Sequence, residues 1–154
     1  MQAIQELLSN RVLICGLVGW GAAQVLKTII YALMHHTLDL TRIFGDGGMP
    51  SGHSATVSSF AVAAAFVYGL DSFEFAIAAV LAVIVCKDAM GVRLETGKQA
   101  AIINEIVRAF DELSSGKLTD VKLKEFVGHT PIQVLAGILL GIVNAVLLHL
   151  FIFP

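Results

Sequence analysis

Apolar residues in this chain fall into long runs, not into the alternating or one-faced patterns of a water-soluble fold. Val12 to Met34 is broken by Gln24 and Lys27, and Ala55 to Leu70 is rich in Ala, Val and Phe. Phe73 to about Val92 carries Lys87 and Asp88 near its end, and Ile132 to Phe153 is a fourth run. Crossing the hydrocarbon core takes about 20 residues at a rise of about 1.5 Å each. Four such runs in 154 residues leave almost no amphipathic surface to face water. The pattern therefore predicts an all-α, polytopic transmembrane helix bundle, a single domain over 1–154 with about four spans near 12–34, 55–70, 73–92 and 132–153. Between the last two runs, Ile102, Ile103, Ile106, Val107, Phe110 and Leu113 recur at helical spacing, with Asn104, Glu105, Arg108, Asp111 and Glu112 among them. That spacing predicts an amphipathic helix over 98–114, lying on the bilayer interface or covering the mouth of the bundle. Ile4, Leu7 and Leu8 predict a short interfacial turn, and without a basic stretch before the first run no cleaved signal is expected.

Composition sharpens this picture. The chain is 56% apolar and only 14% charged, where an ordinary soluble domain carries about 25% charge. A net charge of −2 leaves too little positive surface to neutralise a nucleic-acid backbone, so that class of partner is excluded. Cys15 and Cys86 each lie inside an apolar run and read as packing residues. Four spans would place the loops around 35–54 and 93–131 on one side. Those loops hold Arg42, Arg93, Lys98, Arg108, Lys117, Lys122 and Lys124, against Arg11 on the other side. By the positive-inside rule the two loops are expected in the cytoplasm, with the protein in the cell membrane.

Ionisable residues in or beside spans are costly and mark functional candidates. Lys27 lies about two turns from the inner end of the first span; Ser51, Gly52 and His53 open the second; Lys87, Asp88 and Arg93 close the third; His129 and Gln133 open the fourth. On the expected topology these four segments converge on one face. Snorkelling of long basic side chains accounts for Lys27, Lys87 or Arg93 singly, but not for two histidines, an aspartate and a Gly-rich loop at the same end.

Gly47-Gly48-Met49-Pro50-Ser51-Gly52-His53-Ser54 leads directly into an apolar helix, where backbone N–H groups attract an anion; a simple capped helix start is the alternative. In Gly128-His129-Thr130-Pro131, Thr130 suits a cap and Pro131 the first turn, and Gln133 is placed to orient an imidazole. Two histidines at two helix starts suit phosphoryl transfer, one as nucleophile and the other as acid. Lys27, Arg93, and Lys98 or Arg42 would neutralise phosphate oxygens, while Asp88 would orient a histidine or pair with Arg93 or Lys27. His35, His36 and His149 are assigned no role. No ligand spacing supports a metal, and no cofactor is expected.

Three segments in order, Gly47 to Ser54, Asp88-Ala-Met-Gly-Val-Arg93 followed by Gly97-Lys98-Gln99-Ala100, and Gly128 to Val134, resemble the divergent branch of the type-2 phosphatidic acid phosphatase family. That family is related to bacterial acid phosphatases and vanadium-dependent haloperoxidases. The resemblance runs from Lys27 to the last span. It implies metal-independent hydrolysis of a lipid phosphate or pyrophosphate, with His53 protonating the leaving group, His129 attacking phosphorus, Lys27 binding phosphate, and Ser51 and Gly52 lining the pocket. The chain departs from the wider superfamily at three points. No Arg-Pro pair follows Lys27, Leu123 stands where an arginine precedes the nucleophile, and Gln133 stands where an aspartate follows it. Asp88 is then the candidate for the missing negative charge.

The leading expectation is a membrane phosphatase acting on a phosphate- or pyrophosphate-bearing lipid, with a homodimer completing the pocket as an open alternative. A non-catalytic lipid-phosphate-binding or assembly protein, which fits the missing arginine and Gln133, is the main competitor. A transporter subunit using Lys27 and Asp88 as an intramembrane pair ranks third.

Overall fold

The computed structural model describes residues 1–37, 48–113, 122–123 and 128–153, and these are helical apart from short connections. Six helices follow in order: α1 (Gln2–Leu8), α2 (Arg11–His35), α3 (Gly52–Tyr68), α4 (Phe73–Met90), α5 (Val92–Leu113) and α6 (Pro131–Phe151). Helix starts are written locally. The side chains of Asn10, Ser51, Ser72 and Thr130 each accept a hydrogen bond from the backbone N–H three residues on, satisfying one of the donors that a helix start leaves open.

The all-α membrane architecture expected from the apolar runs is what the chain adopts, with adjusted bounds. Three helical stretches are long and apolar enough to cross a membrane: α2, the stretch containing α4, and α6. The second apolar run forms α3, which starts at Gly52 and not Ala55. Its 17 residues span only about 25 Å at 1.5 Å each, and it sits among the others, packed against α2, α4 and α6. The amphipathic helix begins at Val92, six residues before the expected 98, because only Gly91 separates it from α4 and nothing at 92–97 breaks a helix. Its Ile102, Ile103, Ile106, Phe110 and Leu113 are exposed. Asn104 holds Leu123 through two hydrogen bonds, Nδ2 donating to the Leu123 carbonyl at 2.9 Å and Oδ1 accepting from its N–H at 3.0 Å. The short segment expected as an interfacial turn forms α1, with no buried residue.

The packing is inverted relative to a soluble protein. Leu17, Val25 and Ile29 of α2, Val80 and Val83 of α4, and Leu135, Leu139 and Val143 of α6 face outward. The buried apolar set is mostly small residues: Ala55, Ala61, Ala63 and Ala64 of α3 with Ala23, Ala78, Ala89, Ala100 and Ala145, joined by Val12, Cys15, Cys86 and Val134. Lipid tails are as apolar as leucine, so helix association in a bilayer draws on close backbone approach instead of hydrophobic burial. Here α2 and α6 close on α3 through glycine. A Cβ on Gly19 would stand 2.9 Å from Ser59 Cβ and 3.0 Å from the Ala55 carbonyl. One on Gly137 would meet the Ser51 carbonyl, and one on Gly141 the Ala55 carbonyl and the Ser59 N–H. Midway along the bundle, Ser59 Oγ donates to the Cys15 carbonyl at 2.7 Å, and Asn144 Nδ2 donates to both Ser59 Oγ at 2.7 Å and that carbonyl at 3.1 Å. Three helices are thereby tied at one point. Cys15 and Cys86 are buried free thiols.

Candidate functional site

The polar residues collect at the end of the bundle where α3 and α6 begin and α4 ends. Two backbone bonds assemble it. Ser51 N–H donates to the Gln133 carbonyl at 3.0 Å, joining the start of α3 to the first turn of α6, and His129 N–H donates to the Ala89 carbonyl at 3.0 Å, joining the approach to α6 to the end of α4. Gly128 has φ +96° and is pressed against the backbone of Arg93 and Leu94, where a side chain has no room. His129 is thus seated by the α4–α5 junction.

These constraints bring the two candidate histidines together. The His53 and His129 rings lie with centroids 6.2 Å apart at an interplanar angle of 59°. His129 is 3% exposed, whereas His53, on the first turn of α3, is open to the surroundings. Lys27 is 5% exposed, an unusual depth for a cation. Its aliphatic stem lies against Gly48, so close that a Cβ there would stand 3.2 Å from Lys27 Cγ. The Gly48–Pro50 loop, with a cis Met49–Pro50 peptide, therefore runs over Lys27 and delivers Ser51 to the α3 cap.

Not every candidate side chain is aimed as the sequence reading has it. Ser51 Oγ accepts from the Ser54 N–H at 3.3 Å and the Ser54 hydroxyl at 3.0 Å, so it shapes the helix start. The Gln133 carboxamide closes a capping box, its Oε1 accepting from the Thr130 N–H at 3.0 Å. Asp88 takes Arg93 as partner, Nε to Oδ2 at 2.7 Å, with both side chains nearly half exposed at 42% and 48%. Lys98, farther along α5, pairs with Glu95 at 2.7 Å. Arg42 lies outside the described residues. Among the described residues no group of three or more His, Cys, Asp or Glu is arranged to hold a metal ion.

Gln24 also lies at this site, although in the sequence it shows only as an interruption of the first apolar run, being neutral and not ionisable. It is buried beside Gly52, where a Cβ would stand 3.9 Å from its carboxamide carbon and nitrogen. The signal was its place three residues before Lys27, on the same helix face. Asn144 and Ser59 are likewise neutral interruptions of apolar runs. The remaining histidines lie elsewhere: His35 donates through Nδ1 to the Tyr31 carbonyl at 3.2 Å and stacks on that ring, and His149 stacks on Phe66 with centroids 4.2 Å apart.

Comparison with known proteins identifies the family. The model of the Divergent PAP2 family matches residues 8–144. The uncharacterized membrane protein YuiD of Bacillus subtilis (strain 168) is 39% identical over 155 residues, covering 95% of this chain and 98% of that protein. No solved structure matches. With the family model spanning all but the ends, and a membrane relative matched almost from end to end, the chain is a membrane protein of the divergent PAP2 family.

Proposed function

We propose that the protein hydrolyses a phosphomonoester or pyrophosphate carried on a membrane lipid, at the end of the bundle formed by the starts of α3 and α6. The observation that carries this reading is the His53–His129 pair, 6.2 Å between ring centres on two different helix starts. General acids and bases work at hydrogen-bond reach, about 2.6–3.2 Å. Two imidazoles at this separation can address one small tetrahedral group from two sides. In the proposed reaction an imidazole nitrogen of His129 bonds to phosphorus as the P–O bond to the leaving group breaks, and His53 gives that oxygen a proton. A water then loses a proton to His53 and attacks the phosphohistidine, releasing phosphate and restoring both side chains. Lys27 and Arg93 offset charge on the phosphate oxygens, with Lys98 farther out on α5; Asp88 holds the Arg93 guanidinium; Ser51 and Gly52 form the floor of the pocket. Lipid tails lie against the outward-facing leucines and valines. The Lys and Arg bias of the loops supports a cytoplasmic orientation of this end.

A second reading, a binding module without turnover, is favoured by one observation: the first turn of α6 carries at 133 a neutral glutamine, its Oε1 accepting from the Thr130 N–H, and an amide cannot stabilise an imidazolium by charge. Phosphate release separates the two. Detergent-purified protein is assayed on phosphatidate, phosphatidylglycerophosphate and polyprenyl pyrophosphate, alongside His53→Ala and His129→Ala, with and without vanadate and chelator. Release that survives chelator and is lost in both variants and with vanadate is the expected result. Absence of release on every substrate, with lipid phosphate still bound, would retire the phosphatase in favour of the binding module.

A further inference from the structure

We infer that Gln24 accepts a hydrogen bond from a hydroxyl of the bound ligand, making it a specificity-determining residue one turn deeper in the membrane than Lys27. This rests on the phosphate site proposed above. Gln24 is 7% exposed, and its Oε1 has no hydrogen-bond partner among the described residues. Neighbouring buried polar side chains are bonded: Thr28 Oγ1 donates to the Gln24 carbonyl at 2.9 Å, Ser54 to Ser51, and Ser59 to Cys15. A buried acceptor without a donor is destabilising, so its presence in a helix long and apolar enough to span a membrane needs a compensating role.

The location supplies that role. The carboxamide lies over Gly52, where a Cβ would sit 3.9 Å from both Cδ and Nε2, and Gly52 is flanked in sequence by Ser51 and His53. Gln24 and Lys27 share one face of α2, separated by about 4.5 Å of helical rise. A group held by Lys27 and the two histidines thus meets Gln24 on its membrane side. An ionised phosphate oxygen cannot satisfy Oε1, because both atoms are acceptors. On a phosphate or glycerophosphate ligand the available donor is a hydroxyl, and two sources share that chemistry: the P–OH of a singly protonated phosphate, or a carbinol next to the phosphate in the lipid headgroup. Sulfate, tetrahedral and anionic but fully ionised, offers neither.

The test uses full-length protein in detergent. Ligand-induced shifts in melting temperature are titrated with inorganic phosphate against sulfate, and with lysophosphatidate, which has a free glycerol hydroxyl, against phosphatidate, which has none. Wild type is expected to prefer the hydroxyl-bearing member of at least one pair. Gln24→Leu and Gln24→Met should erase that preference by about tenfold, the scale of one hydrogen bond to a charged group. Binding of the other member should not change, and ligand-free melting should be equal or higher, because an orphan acceptor is gone. Loss confined to phosphate over sulfate identifies P–OH as the partner; loss confined to lysophosphatidate identifies the carbinol. A wild type without preference, a preference that survives both substitutions, or lowered melting in both variants would overturn the inference. Phosphate release is measured on the same preparations. A Gln24-dependent preference without release by wild type retires only the phosphatase reading, and histidine-dependent release with a preference indifferent to Gln24 retires only this one.

Discussion

Helix α3 carries two groups of polar residues, one at its start and one midway, and they differ in how completely they are satisfied. At the middle, Ser59 donates to Cys15 and accepts from Asn144, which reaches the same carbonyl, and the contact is closed by the glycines of α2 and α6. At the start, His53 is exposed and Gln24 has an acceptor left over. The first arrangement spends its hydrogen bonds on joining helices. The second keeps some in reserve, which a structural role does not require and a ligand site does. In a bilayer, where an open polar group is costly, this contrast separates glue from chemistry better than polarity alone.

Substitutions can break the contrast, the severest at the closed region. Gly141→Leu would drive a side chain into the Ala55 carbonyl and the Ser59 N–H of α3, and a cost of about 3 kcal/mol or more is expected from such overpacking. Gly21→Leu on α2, where a Cβ meets nothing within 4 Å, is expected to leave the protein unchanged; size-exclusion profiles and melting of the purified proteins check both. At the open region, His53→Gln is expected to cut phosphate release by about 10²- to 10⁴-fold while melting stays at the wild-type value, because the ring is exposed. Asn144→Leu removes both donated bonds at the middle and is expected to cost about 1 kcal/mol, with unchanged KM; a double-mutant cycle with Ser59→Ala should be non-additive, since the two share a partner. The smallest effect belongs to Asp88→Asn. Its pair with Arg93 is nearly half exposed on both sides, so stability should move by less than about 0.5 kcal/mol, and any loss in phosphate release then reports on Arg93 placement.

The open region was also the less legible of the two. Runs of Leu, Val and Ile encode spans directly, so α2, α4 and α6 emerge with bounds displaced by a residue or two. Gly52 to Ser54 lie outside the apolar run at 55–70 because they are polar, yet they open the helix as their place before it suggests, with Ser51 as the cap. Lys27 stands out as a charge in an apolar run, and His53 and His129 as two histidines at two helix starts. Gln24 does not, since a single neutral amide changes hydropathy little and its missing partner is visible only in three dimensions. Gln133 was misjudged in the other direction: Thr130-x-x-Gln133 is a capping-box pattern, and that local bond engages its carboxamide. The glycine contacts of α6 are spaced four apart at Gly137 and Gly141, a signal present in the sequence that only the packing against α3 turns into meaning.

The seat of Gly128 against Arg93 and Leu94, together with the bond from His129 N–H to Ala89, means that the chain leaves the bundle and returns to it at the same place. Asn104 ties a second rung at Leu123, farther along the chain. The entropy of closing a loop grows only slowly with its length. Trimming or lengthening the stretch beyond that second rung should therefore leave His129 where it is. The glycine at the root of this closure, pressed against the Arg93 and Leu94 backbone at φ +96°, has no such latitude.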